Sequence, residues 1–257
     1  MIKTVESTLD ILDFLLVNGS VSFSTLQQGI EIPKSSLHSI IESLLRHDYV
    51  VFDDDKKQYH LSLKFLCFGE KVKSFQKPLV EIAQPILQQL TDEVHETSFL
   101  GITANYKQVI IGVCESDNAL RSTAKVGEHS LMHYTGIGKV LLSGMSHEDI
   151  DKYINLHGLE KKTENTIASK EKLLEELQKI SQTGYAIDNL EHNKYIRCIG
   201  SGIRNREGNI IAAVSISGPK DRVSLERMEE LAKKVINAAD KISERIKGLP
   251  SESISFI

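Results

Sequence analysis

The chain has 257 residues, 40% hydrophobic and 26% charged, with a formal net charge of −4. That length and apolar content predict two domains with ordinary cores and exclude a disordered chain. No apolar run approaches the ~18 residues of a membrane span and the N-terminus lacks a secretory pattern, so a cytoplasmic protein that does not meet the membrane is expected. Cys67, Cys114 and Cys198 are too few and too widely spaced for a disulfide framework or a zinc pattern, and are expected to be reduced thiols. A weakly acidic balance says nothing for or against nucleic acid.

In chain order, residues 4–17 place Val5, Leu9, Leu12 and Leu16 on one helical face, with Thr4 as N-cap, and Asn18-Gly19 ends that helix. A short helix follows in FSTLQQG, then a turn through Ile30, Glu31 and Ile32. The next helix starts at Pro33, which is pre-set for a first helical position. Leu37, Ile40, Ile41, Leu44 and Leu45 make its apolar stripe. Its other face is a row of small polar groups: Lys34, Ser35, Ser36, His38, Ser39, Glu42, Ser43 and Arg46. Strands are predicted at 49–52 and 58–61, joined by the polar tip 53–57. Three helices and a hairpin in this order are those of a winged helix-turn-helix, whose third helix enters the major groove.

Helical spacing returns over 63–74 and continues through KPLVEIAQPILQQLTDEV with Leu79, Ile82, Ile86, Leu87 and Leu90. TSFLGITANYKQVIIGVCES reads as two strands divided near Asn105. Residues 146–183 are polar and helix-rich, and CIGSGIRNREGNIIAAVSISG reads as two strands turning at Glu207-Gly208-Asn209. A last helix over 224–246 would bury Leu225, Met228, Leu231, Val235, Ala238, Ala239 and Ile242. The mixture predicts an α+β domain with a central antiparallel sheet.

These segments together resemble the IclR family of bacterial transcriptional regulators along nearly the whole chain. IPKSSLHSIIESLLRHDYV stands where the family has its recognition helix. LMHYTGIGKVLLSGM resembles its pocket-helix motif, and GYAIDNLEHNKYIRCIGSGI with NIIAAVSISGP resembles its signature segment. The resemblance implies a winged helix-turn-helix over 1–62, a linker helix over 63–76 and a GAF-like effector-binding domain over 77–257. It also implies a homodimer or homotetramer on double-stranded operator DNA, responsive to a small organic acid. The positions matching the family's pocket are Gly136, Ile137, Asp188, Ile196, Cys198, Ser215 and Ser217, with Met132 expected in its apolar wall.

The residue types suit that role. Gly136 and Gly138 open a helix whose free N–H groups attract anions, and Ser215 and Ser217, two apart on a strand, share a face. Ionised Asp188 would repel an acid, so it is expected to accept from a ligand hydroxyl or to have its pKa raised by burial. Relatives carry a small residue where Ile137 stands, which favours a short ligand. On the head, Lys34, Ser35, Ser36, His38 and Ser39 would meet bases and phosphates, and Arg46, Lys56 and Lys57 the backbone. Residues 1–73 hold eight Lys or Arg against ten Asp or Glu, so each head is expected to bind modestly, with Asp10, Asp13 and 53–55 turned away from the duplex. Relatives often have arginine where Ser39 stands and glycine where Glu31 stands; the second matters if that turn needs positive φ.

Other constellations are weaker. Glu128, His129 and His133 lie in a strand or loop rather than on a helix, so no metal is expected. Glu191 and His192 near Cys198 lack an oxyanion hole, TGIGK lacks phosphate-loop spacing so no cofactor is expected, and Lys139 is expected to cap or solvate its helix. Two other readings are a GAF-like sensor acting through protein partners and an enzyme of small acids, the latter without an acid and base pair to carry it.

Overall fold

The computed structural model describes residues 2–247 and, for residues 73–76, the backbone alone. The chain divides by its internal packing into two units, residues 1–74 and 75–257. Residues 248–257 of the expected effector domain lie outside the described residues.

The first unit contains α1 (Lys3–Asn18), α2 (Phe23–Gly29), α3 (Lys34–Arg46), β1 (Val50–Asp53), β2 (Gln58–Leu61) and the start of α4 (Lys64–Val94). Ser22 sets the start of α2, its hydroxyl accepting the Thr25 N–H at 3.2 Å, while Pro33 precedes α3 as an N-cap without a side-chain bond. β1 and β2 form the antiparallel wing, and Val21 bridges to Tyr59 beside them. Ile11, Leu15, Leu26, Leu37, Ile40, Ile41, Leu44 and Val50 are the core of this unit. That is the winged helix-turn-helix read from the spacing.

The α1 expectation needs correcting. Val5, Leu9 and Leu16 are 53%, 54% and 70% exposed, whereas Ile11 and Leu15 are buried. The helix carries two apolar rows, and the one with Ile11 and Leu15 faces the core; periodicity locates rows but does not choose between them. Thr4 lies inside α1, not at its cap, and accepts the Thr8 hydroxyl on its carbonyl. Glu31 is not among the residues with positive φ, so no backbone strain attaches to it.

α4 is one helix of 31 residues with Pro78 and Pro85 inside it, so the expected linker over 63–76 is not a separate element. Each proline forfeits a backbone bond, but Leu79, Ala83, Ile86, Leu87, Leu90 and Val94 are buried along the same helix, which offsets the loss.

The second unit is built on a six-stranded sheet of β3 (Thr97–Ala104), β4 (Lys107–Cys114), β5 (His129–Ser130), β6 (Tyr185–Asn189), β7 (Ile196–Arg204) and β8 (Ile210–Pro219). Its order is β5-β4-β3-β8-β7-β6, with every neighbouring pair antiparallel. Asn105 and Tyr106 turn β3 into β4 with φ of 50° and 57°. The helices are α5 (Gly136–Ser143), α6 (His147–His157), α7 (Lys170–Thr183) and α8 (Met228–Ile246). The strands are two-sided. Val214 and Ile216 join the core under α4 and α8, and Ala213 joins the core with Ile137, Val140 and Leu177 of α5 and α7. Ser215 and Ser217 therefore share the α5 face. α8 starts four residues later than expected, because 3-residue turns from Ser224 to Arg227 and Leu225 to Met228 break helical phase and leave Leu225 56% exposed.

Candidate functional site

On the first unit, Lys34, Ser35, Ser36, His38, Ser39 and Arg46 are all exposed on α3. Among the described residues no ion pair or hydrogen bond engages the Lys34 and Arg46 side chains. Ser39 and Ser43 instead donate to the carbonyls of Ser35 and Ser39, at 3.1 and 2.9 Å, which spends their hydroxyl protons within the helix. His38 Nδ1 is 3.4 Å from Glu42 and its ring meets Phe23 edge-on. At the wing tip the Asp53 carboxylate accepts the N–H groups of Lys56 and Asp55, and these bonds hold its pKa below the usual range. Lys56 and Lys57 lie 3.6 and 3.4 Å from Asp53 and Asp54. The acidic residues are not all segregated from this face: Glu6, Asp10 and Glu31 line the same open cleft as Ser35, Ser36 and Ser39.

On the second unit a cavity of about 100 Å³ lies between the start of α5 and the sheet. Gly136, Ile137, Asp188, Cys198, Ser215 and Ser217, read from the sequence, are all on its wall. Thr135 makes the helix start there, its hydroxyl accepting the Gly138 N–H at 3.1 Å while donating to Gln108 Oε1 at 2.6 Å. The N–H groups of Gly136 and Ile137 precede the first intrahelical acceptor. Gly200 allows the close approach: a Cβ there would lie 2.9 Å from the carbonyl carbon and oxygen of Gly136. Ser217 donates to Ser122 Oγ at 2.9 Å, and the Cys198 thiol lies 3.1 Å from Ser217 Oγ and 3.6 Å from Asp188 Oδ2.

Two expected residues are elsewhere. Met132 is fully buried in the core beside Thr103, because the short 3₁₀ turn Met132–Tyr134 aims it inward. Ile196 is paired with Pro219 at the outer end of β7, two residues before Cys198, and is not on the cavity wall. Residues not read from the sequence complete the wall, namely Gln108, Ser122, Thr123, Glu128, Ser130, Thr135 and His192 with Phe99, Ile110 and Ala124. Only Thr135 carried a local signal, an N-cap type directly before the glycines; the others arrive from distant segments.

Burial governs the electrostatics. Asp188 is 1% exposed, and desolvation pushes its pKa up to about 7 against the two N–H bonds its Oδ1 accepts from Glu191 and His192. Burial likewise raises the Cys198 thiol well above its ordinary value, so the thiol is protonated and unreactive. His192 stacks on Tyr134 with centroids 5.1 Å apart, and burial lowers its pKa. Among the described residues the wall holds Asp188 and Glu128 but no Lys or Arg.

Behind the wall, Lys139 is 1% exposed, not solvated as expected: Nζ donates to Glu191 Oε1 at 2.5 Å, to the Ile187 carbonyl at 2.6 Å and to Glu176 at 3.3 Å. Position 139 on α5 faces β6, and a buried ammonium requires such partners. It thereby holds the segment that carries Asp188. His133 is buried between the Tyr153 hydroxyl at 2.6 Å and the Glu160 carbonyl, and no group of three metal-ligating side chains is present among the described residues.

The family model described as bacterial transcriptional regulator IclR C-terminal matches residues 74–244, and that of the IclR helix-turn-helix domain matches residues 4–54. The transcriptional repressor IclR of Escherichia coli strain K12 is 28% identical over 228 residues, covering 88% of this chain and 83% of that protein. The crystal structure of the Thermotoga maritima IclR superposes with a TM-score of 0.75 at 27% identity, covering 96% of this chain and all of that one. An IclR homolog from Microbacterium hydrocarbonoxydans, crystallised with 4-hydroxybenzoate, has a TM-score of 0.78 at 18% identity, covering 95% and 99%, and shows a shared fold.

Proposed function

The chain belongs to the IclR family and is a transcriptional regulator with a helix-turn-helix for operator DNA, and from that premise we propose how its two units divide the work. The exposed face of α3 lies in the major groove, with Lys34, Ser35, Ser36 and His38 at bases and phosphates, Ser39 beside them, and Arg46, Lys56 and Lys57 on the backbone. The lysines of the wing must leave Asp53 and Asp54 for phosphate, an exchange that costs little because exposed ion pairs contribute about 0–1 kcal/mol. A slightly acidic head gains operator affinity through a homodimer or homotetramer that engages two half-sites at once.

The cavity beneath α5 is the effector site for a small organic acid. What carries this reading is that Gly136, Asp188, Cys198, Ser215 and Ser217, drawn from three stretches of sequence, meet on one wall. The helix N–H groups and the Ser215 hydroxyl supply donors for a carboxylate, and the Ser217 hydroxyl joins them by turning its proton away from Ser122. With its pKa near 7, Asp188 can carry a proton and donate to an anion instead of repelling it. The relative crystallised with 4-hydroxybenzoate supports an organic acid as the ligand type. Binding shifts the operator equilibrium by the difference in acid affinity between the DNA-bound and free arrangements.

The test is retardation of DNA from upstream regions of the source genome with and without small keto, hydroxy and aromatic acids. A shifted band that changes with one acid is expected, and Lys34→Ala with Ser36→Ala should abolish it. No shift on any upstream region would reject the DNA assignment of α3.

A further inference from the structure

We propose that Ile137, seated in the notch left by Gly101, sets the upper length of the ligand, so that the cavity admits straight acids of roughly two to four carbons and shuts out ring-bearing acids. The proposal rests on the cavity being the effector site and adds what that site selects.

A glycine inside a strand gives up side-chain packing and needs a reason. Gly101 stands in β3 where the pairing with β4 shifts register between Leu100 and Gly101. A Cβ at this position would lie 2.9 Å from Ile137 Cγ2, 3.3 Å from Ile137 Cδ1 and 3.2 Å from the Val109 carbonyl oxygen. The branched end of Ile137 therefore occupies the space that a side chain on β3 would take. Ile137 is also on the cavity wall, where Phe99 and Ile110 provide further apolar surface. It is 3% exposed, and two glycines hold it in place: Gly101 receives its side chain, and Gly200 allows the α5 backbone to come down on β7.

The resulting space is about 100 Å³. An apolar cavity of about 150 Å³ is what benzene fills, so a ring that also carries a carboxylate and a hydroxyl is too large to be enclosed here and would have to project from the cavity's open side. A short acid fits with its carboxylate on the hydroxyls and helix N–H groups and its carbon chain against Ile137. Removing the side chain at 137 leaves nothing to refill the space, because position 101 has no side chain of its own. An alanine at 101, conversely, must displace the Ile137 methyls.

The experiment uses the full chain and its Ile137→Ala, Ile137→Val, Gly101→Ala and Gly101→Ala/Ile137→Ala variants. Each is titrated calorimetrically, and followed by thermal shift, with straight-chain 2-oxo acids from two to six carbons and with 4-hydroxybenzoate. The wild type is expected to bind one or more of the shorter acids and not 4-hydroxybenzoate. Ile137→Ala should gain at least tenfold in affinity for the longer or ring-bearing probes, and Ile137→Val should fall between. Gly101→Ala should weaken the short acids about tenfold, and the double variant should recover part of that loss. Should Ile137→Ala fail to fold, the order of affinities in Ile137→Val decides. An unchanged ranking by length in a variant that still binds short acids would overturn the role of Ile137 while leaving the effector site intact. If no variant binds any acid, the effector reading itself fails and this proposal with it.

Discussion

Lys139 Nζ lies 2.5 Å from Glu191 Oε1, and both side chains are buried behind the cavity wall. Among the described residues Glu191 Oε2 has no hydrogen-bond partner, so the pair is only partly satisfied, and burial raises the Glu191 pKa against the pull of Lys139. Removing one member of a buried pair costs about 3–5 kcal/mol, whereas replacing both with apolar groups is far milder. Lys139→Met should lower unfolding free energy by that order, and Lys139→Met/Glu191→Leu should recover most of it. Urea denaturation of the variants measures both; equal losses in the single and double variants would mean that the Lys139 bond to the Ile187 carbonyl, not the ion pair, carries the stability.

Asp188 gives a pH dependence of defined sign. Folded, it holds its proton to about pH 7; unfolded, it releases it near 3.8. Its contribution to stability is thus fully present below about pH 4 and is lost as pH rises through 7, a change of a few kcal/mol at most. Asp188→Asn keeps an acceptor for the Glu191 and His192 N–H groups without the titrating proton. The variant should melt higher than wild type at pH 8, with the advantage vanishing toward pH 4. His133 and His192, whose burial lowers their pKa, act in the opposite sense around pH 6.5 but are common to both proteins and cancel in the difference.

The acidic side of the cleft beside α3 should oppose DNA. Asp10→Asn and Glu31→Gln are expected to tighten binding to an upstream DNA fragment severalfold at low salt, with the gain shrinking as salt screens it. Lys34→Ala and Arg46→Ala should each weaken binding and reduce the slope of log affinity against log salt by about one. Retardation at three salt concentrations distinguishes these effects, and a slope unchanged in both variants would remove Lys34 and Arg46 from the phosphate contacts.

Glycine substitutions separate close approach from open helix. At Gly200 an added Cβ meets only backbone, 2.9 Å from Gly136 and 3.1 Å from the Ile137 nitrogen, so α5 must shift. Gly200→Ala is expected to cost about 1–3 kcal/mol and to blunt any ligand-induced thermal shift. Gly69, inside α4, has nothing among the described residues within 4 Å of such an atom. Gly69→Ala should be stabilising by up to about 1 kcal/mol, as for a half-buried helical glycine with room for a methyl group. Melting curves of the two variants should move in opposite directions.

Much of this was legible in local sequence. The stripe Leu37, Ile40, Ile41 and Leu44 fixed which side of α3 is buried, and so which side stays free for DNA. Alternation in IIAAVSISGP put Ser215 and Ser217 on one face, and the turn at Gly208 separated β7 from β8. Where two apolar rows competed, as on α1, the pattern was silent about which one the core would take. Pro78 and Pro85 did not interrupt α4, since tertiary burial outweighed a local penalty.

The sequence by itself determined the elements, their polar and apolar faces and the family, because hydrophobic period and capping chemistry act within a few residues. Tertiary structure alone decided that Lys139 is buried, that Met132 and Ile196 are off the cavity while Gln108, Ser122 and His192 are on it, and that Ile137 sits on Gly101. Those outcomes depend on distances between strands and helices far apart in the chain, and such distances are set when the two faces of the sheet are packed, not by any residue's neighbours in sequence.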